Sequence, residues 1–222
     1  MEGLKKKLQD IEKKYGKIIY IVLSIVVLQI YSATNIVAYI VAIVGVLLLY
    51  HFKQESYLPY IFGGAFAALF IKFVFGLILS TSSPGVSVLS GSMVHDETTE
   101  VNYYQWLEKN MGYNRSYIDS WPIKDGFLLG DLPIIQGTND YKIGDVVVYN
   151  DPDQNIPIIH RIIKINPDGT YLTKGDHNPM DDVTGKIVES PVTKNQIQGK
   201  VIFIIPKLGY FKVIFTWLFG GK

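Results

Sequence analysis

Two serines flank a glycine at Ser90-Gly91-Ser92, inside the stretch VLSGSMVHD, and three histidines further along supply the side-chain type that activates an alcohol. An alcohol is almost fully protonated at neutral pH. A nucleophilic Ser92 therefore needs a base within hydrogen-bond reach, and the base needs a group that orients it. The candidates are His95 in the turn after the serines, His160 in IIHRII, and His177 in TKGDHNPMDD beside Asp176, Asp181 and Asp182. His95, His160 and His177 with Asp176 and Asp182 also suit a divalent metal, although no spacing is the tight one of a helical zinc motif. The chain has no cysteine, which excludes cysteine nucleophiles, disulfides and thiolate metal sites.

The elements that position these residues follow Ser80, where the text changes to short β-type segments punctuated by Gly, Pro, Asn and Asp. VSVL, FLLGDLPIIQG, DVVVYND, IPIIHRIIKI, GTYLTKGD and GKVIFII each read as strands, and several alternate apolar with polar positions. The expectation is a mainly β domain over 81–206, about 120 residues and large enough for a core. It is interrupted at 95–126, where Thr98 or Thr99 caps a short helix running toward Asn110 and Gly112 ends it. The aromatic residues there, Tyr103, Tyr104, Trp106, Tyr113, Tyr117 and Trp121, suit a membrane-interface belt, a substrate lid, or packing over the β domain.

Before Ser80 the apolar residues crowd into three runs, Ile18 to Tyr31, Ile36 to Tyr50 and Tyr57 to Leu79. The third is long enough to cross ~30 Å of hydrocarbon, whereas the first two are short and read either as thin spans or as a re-entrant hairpin. The expectation is an anchor over 1–80 with three transmembrane helices. Lysines before the first run and Lys53 before the third hold the N-terminus inside and place everything after Ser80 outside. Residues 207–222 are apolar but too short for a helical span, and read as an interfacial segment. Ten basic against sixteen acidic residues between Thr81 and Lys200 exclude a nucleic-acid binder.

In order, SGSM, YKIGDVVVY, IIHRI, YLTKGDHNPMDD and GKVIFIIPKLGYF closely resemble the type I signal peptidase family, in its archaeal and endoplasmic-reticulum branch. The resemblance covers Val86 to Phe211. It implies a membrane-bound serine endopeptidase, of signal-peptidase-like β fold, that removes signal peptides from secretory preproteins and uses no cofactor or metal. Position by position, it implies Ser92 as nucleophile and His160 as base, where the bacterial branch has lysine. Asp182 resembles the partner of the histidine and Asp176 a second required acid. The Ser92 N–H and the Ser90 hydroxyl correspond to the oxyanion hole. The implied setting is a plasma membrane crossed several times, with an extracytoplasmic catalytic domain and preproteins, lipid and the translocation channel as partners.

Two positions depart from the family pattern. A proline usually follows closely after the serine-methionine pair, but here the 95–126 insertion intervenes, and His177 stands where the family usually has asparagine. The other functional classes open to these residues are a metal-dependent hydrolase and a catalytically inactive β module that binds signal sequences.

Overall fold

The structure is a computed structural model that describes residues 15, 58–151 and 157–219 of the 222-residue chain. The chain divides into two compact units, residues 1–74 and 75–222. Helix α1, Leu58–Leu79, is long and apolar enough to cross a membrane by length and composition. Phe62, Phe66, Phe70, Phe73 and Leu77 are exposed along it. The two shorter apolar runs at 18–31 and 36–50 lie outside the described residues.

The second unit holds helices α2, Glu97–Met111, and α3, Arg115–Asp119, then strands β1, Leu132–Gln136, β2, Val146–Tyr149, β3, Ile158–Ile165, and β4, Tyr171–Lys174. A 3-10 turn at Lys194–Gln196, strand β5, Ile197–Ile205, and helix α4, Tyr210–Phe219, follow. The strands form one antiparallel sheet in the order β1-β5-β2-β3-β4.

Central β2 is buried on both sides, so its period-2 alternation feeds two cores. Val146 and Val148 pack with Val86, Val88, Met93, Phe127, Ile135 and Val201, while Val147 and Tyr149 pack with Tyr141, Ile162, Tyr171, Val188 and Val192. The VSVL segment, expected as a strand, lies instead as a ledge beside β1. Val86 N–H donates to Pro133 O (3.2 Å) and Val88 N–H to Asp131 O (3.0 Å), with a single bridge at Gly85. Of FLLGDLPIIQG, only Leu132–Gln136 is strand, because the Asp131 carboxylate accepts the Leu128 N–H (2.9 Å) and bends the preceding residues into a turn.

Helix α2 starts at Glu97, just ahead of the threonines expected to cap it. It stops where expected: Gly112 takes φ +71° and donates to Glu108 O at 3.1 Å, a left-handed cap that a side chain would resist. Its aromatic residues are packed rather than arrayed as a belt. Tyr103, Leu107, Ile118 and Trp121 form a third core with Ile163 of β3, and each fully buried side chain of this kind contributes roughly 1.5–3 kcal/mol.

Candidate active site

Strand β3 carries two adjacent polar residues, His160 and Arg161, flanked by isoleucines. Adjacent strand residues project to opposite faces, so each meets its own surroundings. Each also meets its own aspartate.

On one face, His160 Nδ1 lies 2.7 Å from Asp182 Oδ2. The same oxygen accepts the Tyr149 hydroxyl at 2.8 Å, and Thr173 Oγ1 donates to that hydroxyl at 3.3 Å. The Asp182 N–H donates to Thr173 O (2.9 Å), which fixes the turn after β4 against β4 itself. His160 is 4% exposed and Asp182 wholly buried. Burial alone would raise the Asp182 pKa. The His160 hydrogen bond and charge, with the Thr173 and Tyr149 hydroxyls, outweigh it and hold the carboxyl below its ordinary value. Burial, followed by the Asp182 charge, pushes the Tyr149 hydroxyl upward, so it stays protonated and donates. An ionised Asp182 only accepts, which assigns the proton to His160 Nδ1 and leaves the lone pair on Nε2.

On the opposite face, the buried Arg161 guanidinium grips Asp176 with two prongs, Nε to Oδ1 at 2.9 Å and Nη2 to Oδ2 at 2.6 Å. Its remaining N–H groups donate to Pro122 O (2.7 Å), Gly144 O (2.8 Å) and Ile123 O (2.9 Å). His95 Nε2 lies 2.8 Å from Asp176 Oδ2. Burial would raise the Asp176 pKa, but Arg161, with His95, lowers it to about 2. Burial lowers the Arg161 pKa and Asp176 more than reverses that, so the pair stays ionised.

Ser92 stands in the turn closed by Val94 N–H to Gly91 O (3.1 Å), next to the buried Met93. Its hydroxyl is 3.2 Å from Ser90 Oγ, and its carbonyl accepts the His177 N–H at 2.8 Å. Ser90, Ser92 and His160 share a cleft of about 440 Å³ walled by Val86, Val88, Phe127, Ile159, Ile187 and Lys212. Among the described residues, His160 Nε2 has no hydrogen-bond partner, and Ser92 Oγ is paired with Ser90 rather than with it. A Cβ on Gly175 would stand 2.9 Å from His160 Nε2, so the ring rests against that glycine.

The residues considered as metal ligands are divided. His95 goes to Asp176 and His160 to Asp182, while the exposed His177 lies 3.9 Å from Asp96. Among the described residues no three His, Asp or Glu side chains converge on one point. Sequence reasoning missed Tyr149, Arg161 and Lys174. The signal for Arg161 is a charge in an otherwise apolar strand, which demands a buried partner. Lys174 is 1% exposed, with Nζ donating to Gly175 O (2.9 Å) and lying 5.4 Å from the Trp106 ring. Burial lowers its pKa to about 8, against the opposing pull of Asp176 and Asp182.

No protein-family model matches the chain. The signal peptidase complex catalytic subunit SEC11 of Scheffersomyces stipitis is 31% identical over 166 residues, which cover 72% of this chain and 80% of that protein. Subunits of the same description from Chaetomium globosum and Neurospora crassa are each 30% identical, over 168 and 171 residues. Each of those alignments covers 65% of this chain and 80% of the relative. With identity at this level across most of the relatives' length, the chain belongs to the type I signal peptidase family of peptide hydrolases, on the branch of the signal peptidase complex catalytic subunits.

Proposed function

We propose that the chain is a membrane-bound serine endopeptidase that cleaves N-terminal signal peptides from secreted preproteins at the outer face of the exporting membrane. The observation that carries the reading is the buried His160–Asp182 pair, 2.7 Å apart, in the cleft that also holds Ser92. In this mechanism Ser92 Oγ attacks the scissile carbonyl and its proton passes to His160 Nε2. Asp182 keeps the ring in the Nδ1–H tautomer and stabilises the imidazolium. The tetrahedral oxyanion is met by the Ser92 N–H and the Ser90 hydroxyl. In support, the Ser92 N–H donates to no acceptor among the described residues, and the Ser90 hydroxyl is 3.2 Å from the nucleophile.

Collapse of the intermediate breaks the C–N bond, and His160 returns the proton to the leaving amine. Water, deprotonated by the same nitrogen, then hydrolyses the Ser92 ester and restores the hydroxyl. Asp176, expected as a second acid, is read as acting through Arg161 and His95 rather than on substrate.

The substrate reading is supported by reach. Twelve residues separate Ser80 from Ser92, so the nucleophile lies within ~40 Å of the end of α1 even if that stretch is fully extended. A signal sequence presents its cleavage site just outside the bilayer, within that reach. The plasma-membrane assignment is narrowed to membrane association, which the family membership and α1 support. The translocation channel stays a proposed neighbour.

The test is cleavage of a preprotein by the full chain in lipid-detergent micelles. Ser92→Ala is expected to lose at least about 10³-fold in rate, with His160→Lys also inactive and chelator without effect. A Ser92→Ala protein that cuts at the wild-type rate overturns the mechanism.

A further inference from the structure

We infer that His95, together with the insertion it opens, is a positioning residue that locks the nucleophile loop to the strand carrying the base through the Asp176 carboxylate. The inference rests on the reading of Ser92 as nucleophile. His95 follows Ser92 by three residues, is largely buried, and does not line the cleft. Its Nε2 meets Asp176 Oδ2 at 2.8 Å. A carboxylate paired with Arg161 only accepts, so Nε2 carries a proton and donates it. The same carboxylate is held through both oxygens by Arg161, the chain neighbour of His160, whose Nη2 shares Oδ2 with His95. A continuous set of bonds thus runs from the Ser92 turn through His95, Asp176 and Arg161 to the strand of the base.

The insertion closes this set from both of its ends. At entry stands His95, with the Tyr103 ring 5.0 Å from its own. At exit, Arg161 holds the carbonyls of Pro122 and Ile123, and Phe127 N–H donates to Met93 O at 3.0 Å. Gly126 leaves no room for a side chain: a Cβ there would collide with Met93 O and stand 2.7 Å from His95 Cδ2. A second set of bonds points the same way. His177 N–H donates to Ser92 O (2.8 Å), and Asp176 N–H approaches Met93 Sδ at 3.5 Å. The entry of residues 95–126 therefore meets the Asp176 carboxylate and their exit the Arg161 guanidinium paired with it, and the loop with Ser92 hangs from that pair.

A purely structural network would change melting temperature and leave turnover per folded molecule intact. A positioning role changes kcat and leaves KM, because the cleft walls are untouched. The experiment measures preprotein cleavage by the full chain in lipid-detergent micelles for wild type, His95→Ala, His95→Gln, His95→Asn and Ser92→Ala, with each melting temperature. His95→Ala is expected to lose about 10- to 100-fold in kcat, the scale of an ångström-level misplacement, with KM within about twofold. His95→Gln, whose amide donor reaches as far as Nε2, is expected to recover most of that loss. The shorter His95→Asn is not, and this pair decides the matter even where His95→Ala fails to fold. The inference is overturned if Ser92→Ala is inactive while His95→Ala or His95→Asn keeps wild-type kcat, or if Gln and Asn lose equally. An active Ser92→Ala overturns the nucleophile reading beneath it instead.

Discussion

Replacing Asp182 by asparagine changes one acceptor into a donor at the most consequential point of the site. Asp182 Oδ2 lies 2.7 Å from His160 Nδ1 and 2.8 Å from the Tyr149 hydroxyl. In Asp182→Asn the amide NH₂ takes the place of Oδ2, because the Oδ1 place offers its hydrogens no acceptor, and it donates to the Tyr149 oxygen and to the imidazole, which answers with a bare Nδ1. The ring proton then moves to Nε2, the atom proposed to receive the Ser92 proton, and the proposed base is lost without any change of shape. Inversion of this tautomer costs about 10⁴ in turnover where a serine-histidine-aspartate set has been so altered, or about 5 kcal/mol at 1.36 kcal/mol per tenfold. Binding uses the cleft walls, so KM should stay within about twofold. The assay is steady-state cleavage of a preprotein by the full chain in lipid-detergent micelles, with thermal unfolding of both proteins as a control. A kcat within threefold of wild type, with Ser92→Ala inactive, would refute the role given to Asp182.

Two further outcomes follow from the surroundings of the pair. Gly175→Ala puts a Cβ 2.9 Å from His160 Nε2 and 2.6 Å from Asn178 Nδ2; the amide can swing away but the imidazole is pinned by Asp182. Cleavage kinetics should show kcat falling about 10- to 100-fold with melting temperature little changed, and wild-type kcat would mean that the ring does not rest where described. Lys174 titrates near 8 in the folded protein instead of 10.5, so between those values the unfolded chain binds more protons and stability rises with pH. The difference corresponds to about 3 kcal/mol, and denaturant titrations of Lys174→Met should show that rise gone; parallel slopes in the two proteins would contradict the assignment.

These two strands were legible because short β-branched runs bounded by turn residues mark them: DVVVY and IIHRII became β2 and β3 with the bounds expected to within a few residues. The pairing of His160 with Asp182 was legible only through the order of the family boxes, since twenty-two residues separate them and no local periodicity links them. The helix in the insertion was visible from its Gly112 end, although the threonines expected to cap its start lie inside it, and its use was not visible. Aromatic residues look alike in a belt, a lid and a core, and only the apolar face of β3 that Ile163 presents selects packing. Arg161 and His95 were hidden for a related reason. Their meaning lies in a carboxylate fifteen residues from one and eighty-one from the other, a distance over which side-chain chemistry alone proposes no partner.

The opposite facing of His160 and Arg161 bears on how the protein reaches an active form. A one-residue slip of β3 against β2, away from the pairing of Val147 with His160, would exchange the two faces. The guanidinium would then meet the Asp182 side and the imidazole the carbonyls of Pro122 and Ile123, and Asp176 would be stranded without its ion pair, a fault worth several kcal/mol. Correct strand pairing and the proposed catalytic arrangement thus depend on the same two neighbouring side chains. A misaligned sheet is penalised by the same fault that would disarm the proposed His160–Asp182 pair.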